Sequence, residues 1–300
     1  MIGYLRLVRF PNVFTAIADV LAAFTIMHLA GPAPFPYATM ACLALASGAL
    51  YLSGMAFNDF ADRAEDARVR PNRPIPSGQV SLAGALVCGV ALMLGGIALA
   101  AVSGPSLPWA LALAVSILAY DFATKHVTVL GPITLGFCRF FNVLLGSVAA
   151  ASVVIDDLRD GGILNKPIAM ALTVGIYAAG LTAFSAQEET GKQIRSIVIG
   201  WFFCGAALLI GGFTGISLTG WIVLGPLALL LILRTVDLAR TGTPGAARNL
   251  VRTGVMGVCA VDAGLVLSFA GPRAWPVAVA CLALLVPTIA MAKWLAQKEA

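Results

Sequence analysis

Along this chain, apolar stretches of about 20 residues alternate with short polar segments, and each stretch is long enough to cross the ~30 Å hydrocarbon core of a bilayer as a helix. The stretches fall at 11–30, 36–58, 81–103, 107–121, 132–153, 167–186, 196–216, 218–236, 249–270 and 275–294. The fourth is short and the last two are open to miscounting, so the pattern allows nine or ten spans. It predicts an all-α, polytopic transmembrane helical bundle, a single membrane-embedded domain over residues 1–300 with no soluble appendage and no low-complexity linker. The first stretch could serve as a signal peptide. Asp19 interrupts it, however, and no small-residue cleavage site follows, so it is read as a retained helix.

Composition agrees: 60% of residues are hydrophobic, 11% are charged, and the mean hydropathy is +0.94. Charge placement then orients the bundle. With the N-terminus in the cytoplasm, Arg6, Arg9, Arg63, Arg68, Arg70, Arg73, Lys125, Lys192, Arg195, Arg234, Arg240, Arg248, Arg252, Lys293 and Lys298 all fall on that side, 15 of the 19 basic residues. Arg159, Lys166 and Arg273 fall opposite and Arg139 lies within a span, so the positive-inside rule favours an even number of crossings and an inner-membrane protein. The formal charge of +5 reflects this orientation, and without a basic stripe interleaved with exposed aromatics nucleic-acid binding is excluded. The six cysteines lie singly in apolar segments and read as core fillers, while His28 and His126 are isolated and give no support to zinc or haem.

Polar residues at the ends of spans carry the chemistry. Asn58, Asp59, Asp62 and Asp66 form N-D-x-x-D-x-x-x-D where the second span ends. At ~100° per residue they share an arc of ~100°, and carboxylates so crowded repel one another unless a cation sits among them. Hard oxygen donors at this density suit Mg²⁺, which completes its shell with water and substrate phosphates. The following loop, Arg70 to Ser81, holds three prolines that stop the helix, a Ser77-Gly78 turn, and Ser81 placed to cap the next helix. It keeps basic residues, with Arg68 and Arg73 as candidates, close to the acids, where guanidinium forks suit a diphosphate. A weak internal repeat adds to this picture. Arg9-Phe10-x-Asn12-Val13 recurs as Arg139-Phe140-x-Asn142-Val143, and the same offset carries Asn58 and Asp59 onto Glu188 and Glu189. Spans 1–4 and 5–8 would then be parallel copies meeting around a central site.

Asn58 to Asp66, followed by R-P-x-R-P-I-P-S-G-x-V-S from Arg70 to Ser81, resembles the first signature of the UbiA-type intramembrane prenyltransferases, the superfamily that includes 4-hydroxybenzoate polyprenyltransferase. The R-F-x-N opening of the first helix (Arg9, Asn12), the Tyr120…Lys125 segment and a charged end to the sixth span extend the resemblance over essentially the whole chain. It implies a helical bundle around a lipid-open cavity, and Mg²⁺-dependent transfer of an isoprenoid chain from an allylic polyprenyl diphosphate to a lipophilic acceptor within the membrane lipid. Asn58, Asp59, Asp62 and Asp66 would hold Mg²⁺ and diphosphate. The second signature departs from the family pattern. Where aspartates are typical, the chain reads Gln187-Glu188-Glu189-Thr190-Gly191-Lys192. Glu188 and Glu189 are the available ligands for a second ion, and being adjacent they diverge by ~100°.

Residue chemistry then assigns roles. Asp59, Asp62, Lys125 and Glu188 are the catalytic candidates; Asn12, Asn58, Arg68, Arg73, Arg139, Asn142 and Lys192 are the substrate-binding ones. Arg139 and Asn142 are costly inside a membrane and should face the cavity. Phe57, Phe60, Phe137, Phe140 and Phe141 lie near enough in sequence to stabilise an allylic cation. Two alternatives share the motif: a terpene cyclase-like member that quenches the cation intramolecularly, and a non-catalytic carrier of prenylated lipids.

Overall fold

The computed structural model describes residues 2–29, 35–148, 166–185, 194–213 and 215–297, and every regular element among them is helical. The helices are α1 (Ile2–Leu7), α2 (Val13–His28), α3 (Tyr37–Val69), α4 (Leu82–Val102), α5 (Leu107–Ala119), α6 (Leu130–Ser147), α7 (Lys166–Ser185), α8 (Ile194–Phe213), α9 (Leu218–Thr241), α10 (Pro244–Phe269), α11 (Trp275–Ala283) and α12 (Leu285–Gln297). A short 3₁₀ turn, Phe10–Asn12, leads into α2, and a π-helical turn, Tyr120–Thr124, continues α5. Among the described residues nine segments are long and apolar enough to cross a membrane, with α11 and α12 together forming the last. The shorter apolar stretch Ser196–Gly211 lies within α8, so each of the ten predicted stretches overlaps a helix.

Burial follows position in the bundle. The first span packs against α3, α6, α10 and α11, and its Val20, Ala22 and Phe24 are fully buried. The helices α4 and α9 instead carry large exposed side chains such as Val87, Leu94, Ile222 and Leu229, a surface that suits lipid rather than water. Lipid is as apolar as leucine, so close packing and polar contacts hold the helices together rather than exclusion from solvent. The crossing of α6 and α7 illustrates this: a Cβ on Gly136 would lie 2.8 Å from the Gly175 carbonyl oxygen, and a Cβ on Gly175 the same distance from that of Gly136. Only glycine on both sides lets these backbones touch.

At one end of the bundle, the chain termini of several elements converge. Ser81 caps α4 by accepting a hydrogen bond from the Gly84 amide at 3.0 Å. The proline loop before it folds back on itself through Val80 N–H to the Pro74 carbonyl at 3.0 Å. Arg6 on α1 grips this loop, donating to Gln79 Oε1 at 2.9 Å and to the Asn72 carbonyl at 3.2 Å. The end of α3, the N-terminal helix and the loop before α4 are thereby fixed against one another.

Candidate active site

The long helix α3 runs past the apolar stretch predicted at 36–58, which ends on Asn58, and its extra turns carry Asp59, Asp62 and Asp66. Against them stands Arg9, which breaks the chain between α1 and the 3₁₀ turn with a left-handed backbone at φ 45°. That conformation costs a side chain on the order of 1 kcal/mol and marks a functional position when surroundings enforce it. Here it aims the guanidinium at α3: Nη2 donates to Asn58 Oδ1 at 3.1 Å and to Asp59 Oδ1 at 3.2 Å. Arg73, delivered by the proline loop, donates from Nη1 to the same Asp59 oxygen at 3.0 Å.

Two guanidiniums thus share one oxygen of a carboxylate that is 2% exposed, while its second oxygen, Oδ2, is buried with no hydrogen-bond partner among the described residues. Burial alone would lower the pKa of Arg9, but the charge on Asp59, with help from Tyr51, outweighs it and raises that pKa. Arg73 is shifted down, by burial first and by the neighbouring charge of Arg9 second. The pair therefore carries more positive charge than Asp59 offsets, which is the electrostatic condition for an incoming anion.

The π-helical turn Tyr120–Thr124 completes the site. Such a turn is often found at functional sites, and this one carries Asp121 and leads into Lys125, both of which reach α3. Lys125 forms a close ion pair with Asp62 and also reaches the Asn58 carbonyl at 3.4 Å. Asp121, itself buried, accepts a hydrogen bond from Asn58 Nδ2 at 3.1 Å. The next turn is tight enough that a Cβ on Gly131 would lie 2.9 Å from the Lys125 carbonyl oxygen. His126 is not isolated as the sequence suggested: its Nε2 is 3.6 Å from Asp62 Oδ1, and ligand atoms of Asp62, Glu65 and His126 all lie within 4.8 Å of one another.

The structure therefore gathers Asn58, Asp59, Asp62, Arg73 and Lys125 into one network. Asp66 sits a turn further on, buried, with Arg70 Nη1 at 3.5 Å. Arg68 is exposed in the last turn of α3, and Asn12 closes the 3₁₀ turn that leads into α2. Arg139 and Asn142 lie deeper, on Asp19 of α2: Arg139 Nη1 donates to Asp19 Oδ2 at 2.9 Å, as does Asn142 Nδ2 at 2.9 Å. Glu188, Glu189 and Lys192 lie outside the described residues. Phe57 and Phe60 both stand against Phe122, whereas Phe137, Phe140 and Phe141 form a separate cluster that includes Trp109. Two participants were missed from the sequence, Arg9 and Asp121. Each had a signal: Arg9 opens R-F-x-N, and Asp121 is an acid within an apolar span, four residues before Lys125.

The donor set fits a hard divalent cation. Asp59, Asp62 and Asp66 place carboxylates along one stretch of α3, Asn58 adds an amide oxygen, and Asp59 Oδ2 is a buried acceptor with no hydrogen-bond partner among the described residues, although the ligand atoms gathered within 4.8 Å of one another are those of Asp62, Glu65 and His126.

Comparison with known proteins adds an independent line. Residues 20–253 match the UbiA prenyltransferase family model. The chain is 36% identical over 251 residues to the digeranylgeranylglyceryl phosphate synthase of Natronomonas pharaonis, covering 73% of this chain and 86% of that protein. It is 34% identical over 210 residues to the enzyme of the same name from Methanoculleus marisnigri, covering 59% and 75%. Among solved structures, the apo form of a UbiA homolog from Aeropyrum pernix K1 superposes with a TM-score of 0.65 at 19% identity over 87% of this chain and 98% of that one. A UbiA homolog from Archaeoglobus fulgidus bound to GPP and Mg²⁺ gives 0.53 at 12% identity, covering 96% and 99%.

Proposed function

The chain belongs to the UbiA prenyltransferase family, and on that footing we propose that this integral membrane prenyltransferase moves an isoprenoid chain from an allylic polyprenyl diphosphate onto the hydroxyl of a lipid acceptor of the glyceryl phosphate class. The observation that carries the donor half is the convergence of Arg9 and Arg73 on a single oxygen of Asp59, beside the Asp62–Lys125 pair. Two guanidiniums held by one carboxylate have N–H groups left to offer, and a diphosphate is the anion whose geometry uses them in pairs. The acceptor class is supported by the names of the relatives, digeranylgeranylglyceryl phosphate synthases.

When bound, Mg²⁺ would neutralise charge developing on the departing diphosphate oxygens, and support for it comes from the donor set and from the Archaeoglobus fulgidus homolog solved with GPP and Mg²⁺. Asp59, Asp62 and Asp66, with the Asn58 oxygen, would hold the ion. Glu188 and Glu189 remain the candidates for a second one. Arg9 and Arg73 orient the diphosphate, with Arg68 and Lys192 as further candidates at the same face. Lys125, held by Asp62, is placed to donate to the leaving oxygen as the C–O bond breaks towards an allylic cation. The acceptor hydroxyl oxygen then bonds to the allylic carbon, and its proton leaves with the diphosphate. The apolar surroundings keep water from competing for the cation. Basic residues concentrate at the membrane face that carries this site, which supports its placement on the cytoplasmic side of the inner membrane.

The test is Mg²⁺-dependent diphosphate release from allylic donors of several lengths in detergent, with and without a prenylated glyceryl phosphate or an aromatic acceptor, and Asp62→Asn as control. Release that requires the glyceryl phosphate lipid supports the reading in full. Release without acceptor points to cyclisation, and none from any donor by a folded protein sinks it.

A further inference from the structure

Asn58 is the one member of the acidic cluster whose side chain can face the wrong way. Its amide presents an oxygen or an NH₂, and only the oxygen serves a cation or an arginine. In the structure the amide lies between two groups that each permit one orientation. Arg9, which can only donate, takes Oδ1 at 3.1 Å; Asp121, which as a carboxylate can only accept, takes Nδ2 at 3.1 Å. The two restraints are unequal in use. Arg9 also serves Asp59 and faces the space where a diphosphate would be bound, so its donors are called upon when the donor substrate arrives. Asp121 is 3% exposed and sits on the π-helical turn, locked to α3 through Lys125 four residues on, so it stays.

We propose that Asp121 is a positioning residue, fixing the Asn58 amide so that its oxygen faces the metal and diphosphate site throughout turnover. This rests on the functional reading above. The π-helical turn carries Asp121 and leads into Lys125, so an acid and a lysine four residues apart both reach α3. Groups that hold a metal ligand in place affect metal affinity without touching the ion, typically ~10–100-fold when removed.

Mn²⁺ binding to the full chain in detergent, followed by electron paramagnetic resonance of the free ion, gives a readout separate from turnover. Asp121→Ala should weaken Mn²⁺ binding ~10–100-fold and raise the Mg²⁺ needed for half-maximal diphosphate release in parallel. Asp121→Asn, whose own amide oxygen still accepts from Asn58, should lose markedly less. The exchange Asn58→Asp with Asp121→Asn reverses donor and acceptor across the same hydrogen bond. It should recover binding to within about threefold of wild type, since either oxygen of a carboxylate serves an ion. If Asp121→Asn is as damaging as Asp121→Ala and the exchange restores nothing, Asp121 acts through its own charge and the proposal is wrong. If Asp121→Ala fails to fold, those two variants decide the matter alone. Wild-type protein that neither binds Mn²⁺ nor releases diphosphate overturns the functional reading. Wild type that does both, beside an Asp121→Ala that binds normally, overturns only the role of Asp121.

Discussion

Two arginine–carboxylate clusters, both anchored near the first span, are built from the same residue types and do opposite things. At the membrane face, Arg9 and Arg73 crowd one oxygen of Asp59, with side chains 35% and 27% exposed. Deeper in the bundle, Arg139 spends Nη1 on Asp19 and Nη2 on Thr15 at 2.8 Å, and is only 15% exposed against an Asp19 that is fully buried. Asn142 closes that second cluster, donating to Asp19 and to the Ala16 carbonyl at 3.0 Å and accepting from Ser47 at 2.7 Å. The first cluster has donors to spare and an opening; the second directs its α6 donors at α2 and accepts from Ser47 of α3, and so ties α6 to both. On the proposed reading, spare donor capacity, rather than the presence of an Arg–Asp pair, separates a site that binds from one that holds helices together.

The sharpest way to break the comparison is one substitution made in each cluster. Asp62→Asn removes charge from the open site and should cut diphosphate release at least ~10³-fold, a loss far larger than the destabilisation from leaving Lys125 without its partner. Asp19→Asn should remove the carboxylate that accepts from Arg139 Nη1 and act chiefly on stability. Next in size, Arg139→Ala strands a fully buried carboxylate and should cost about 3 kcal/mol, read as a lowered unfolding midpoint in detergent. Replacing both partners, Arg139→Met with Asp19→Leu, should return much of that loss. A stable Arg139→Ala whose KM for the donor rises would instead place Arg139 among the diphosphate ligands. A smaller effect is expected from Arg73→Ala, a roughly tenfold rise in KM for the allylic diphosphate with stability unchanged, because one of two guanidiniums remains.

Much of this was legible in the sequence, for reasons that also explain the gaps. Spans are read from length and hydropathy, which the bilayer imposes directly, so all ten stretches meet helices, and Asn58, Asp59 and Asp62 share a face because helical spacing demands it. Arg9 escaped because its role depends on a left-handed backbone that no local pattern announces. Asp121 escaped because it falls at the end of an apolar stretch, and its partner Asn58 is set by how that stretch crosses α3. Arg139 and Asn142 were rightly expected to avoid lipid, but which polar group they meet is decided by how α2, α3 and α6 cross, and that lies in tertiary packing.

The mildest expected effect separates two partners of Asp62. Lys125 and His126 both approach the same oxygen, the lysine closely and the imidazole Nε2 at 3.6 Å, with Glu65 beside them. Ammonium competes with a metal ion for that oxygen, whereas a neutral imidazole can share the ion and prefers transition metals to Mg²⁺. His126 is 70% exposed, so replacing it costs the fold little. His126→Gln should therefore leave stability and the Mg²⁺-supported rate nearly unchanged, yet lower the rate with Mn²⁺ relative to Mg²⁺ by about threefold. An unchanged ratio would mean that Lys125 alone governs Asp62. In that event the open cluster binds its ion through α3 only, and its contrast with the closed cluster rests entirely on the two arginines and Lys125.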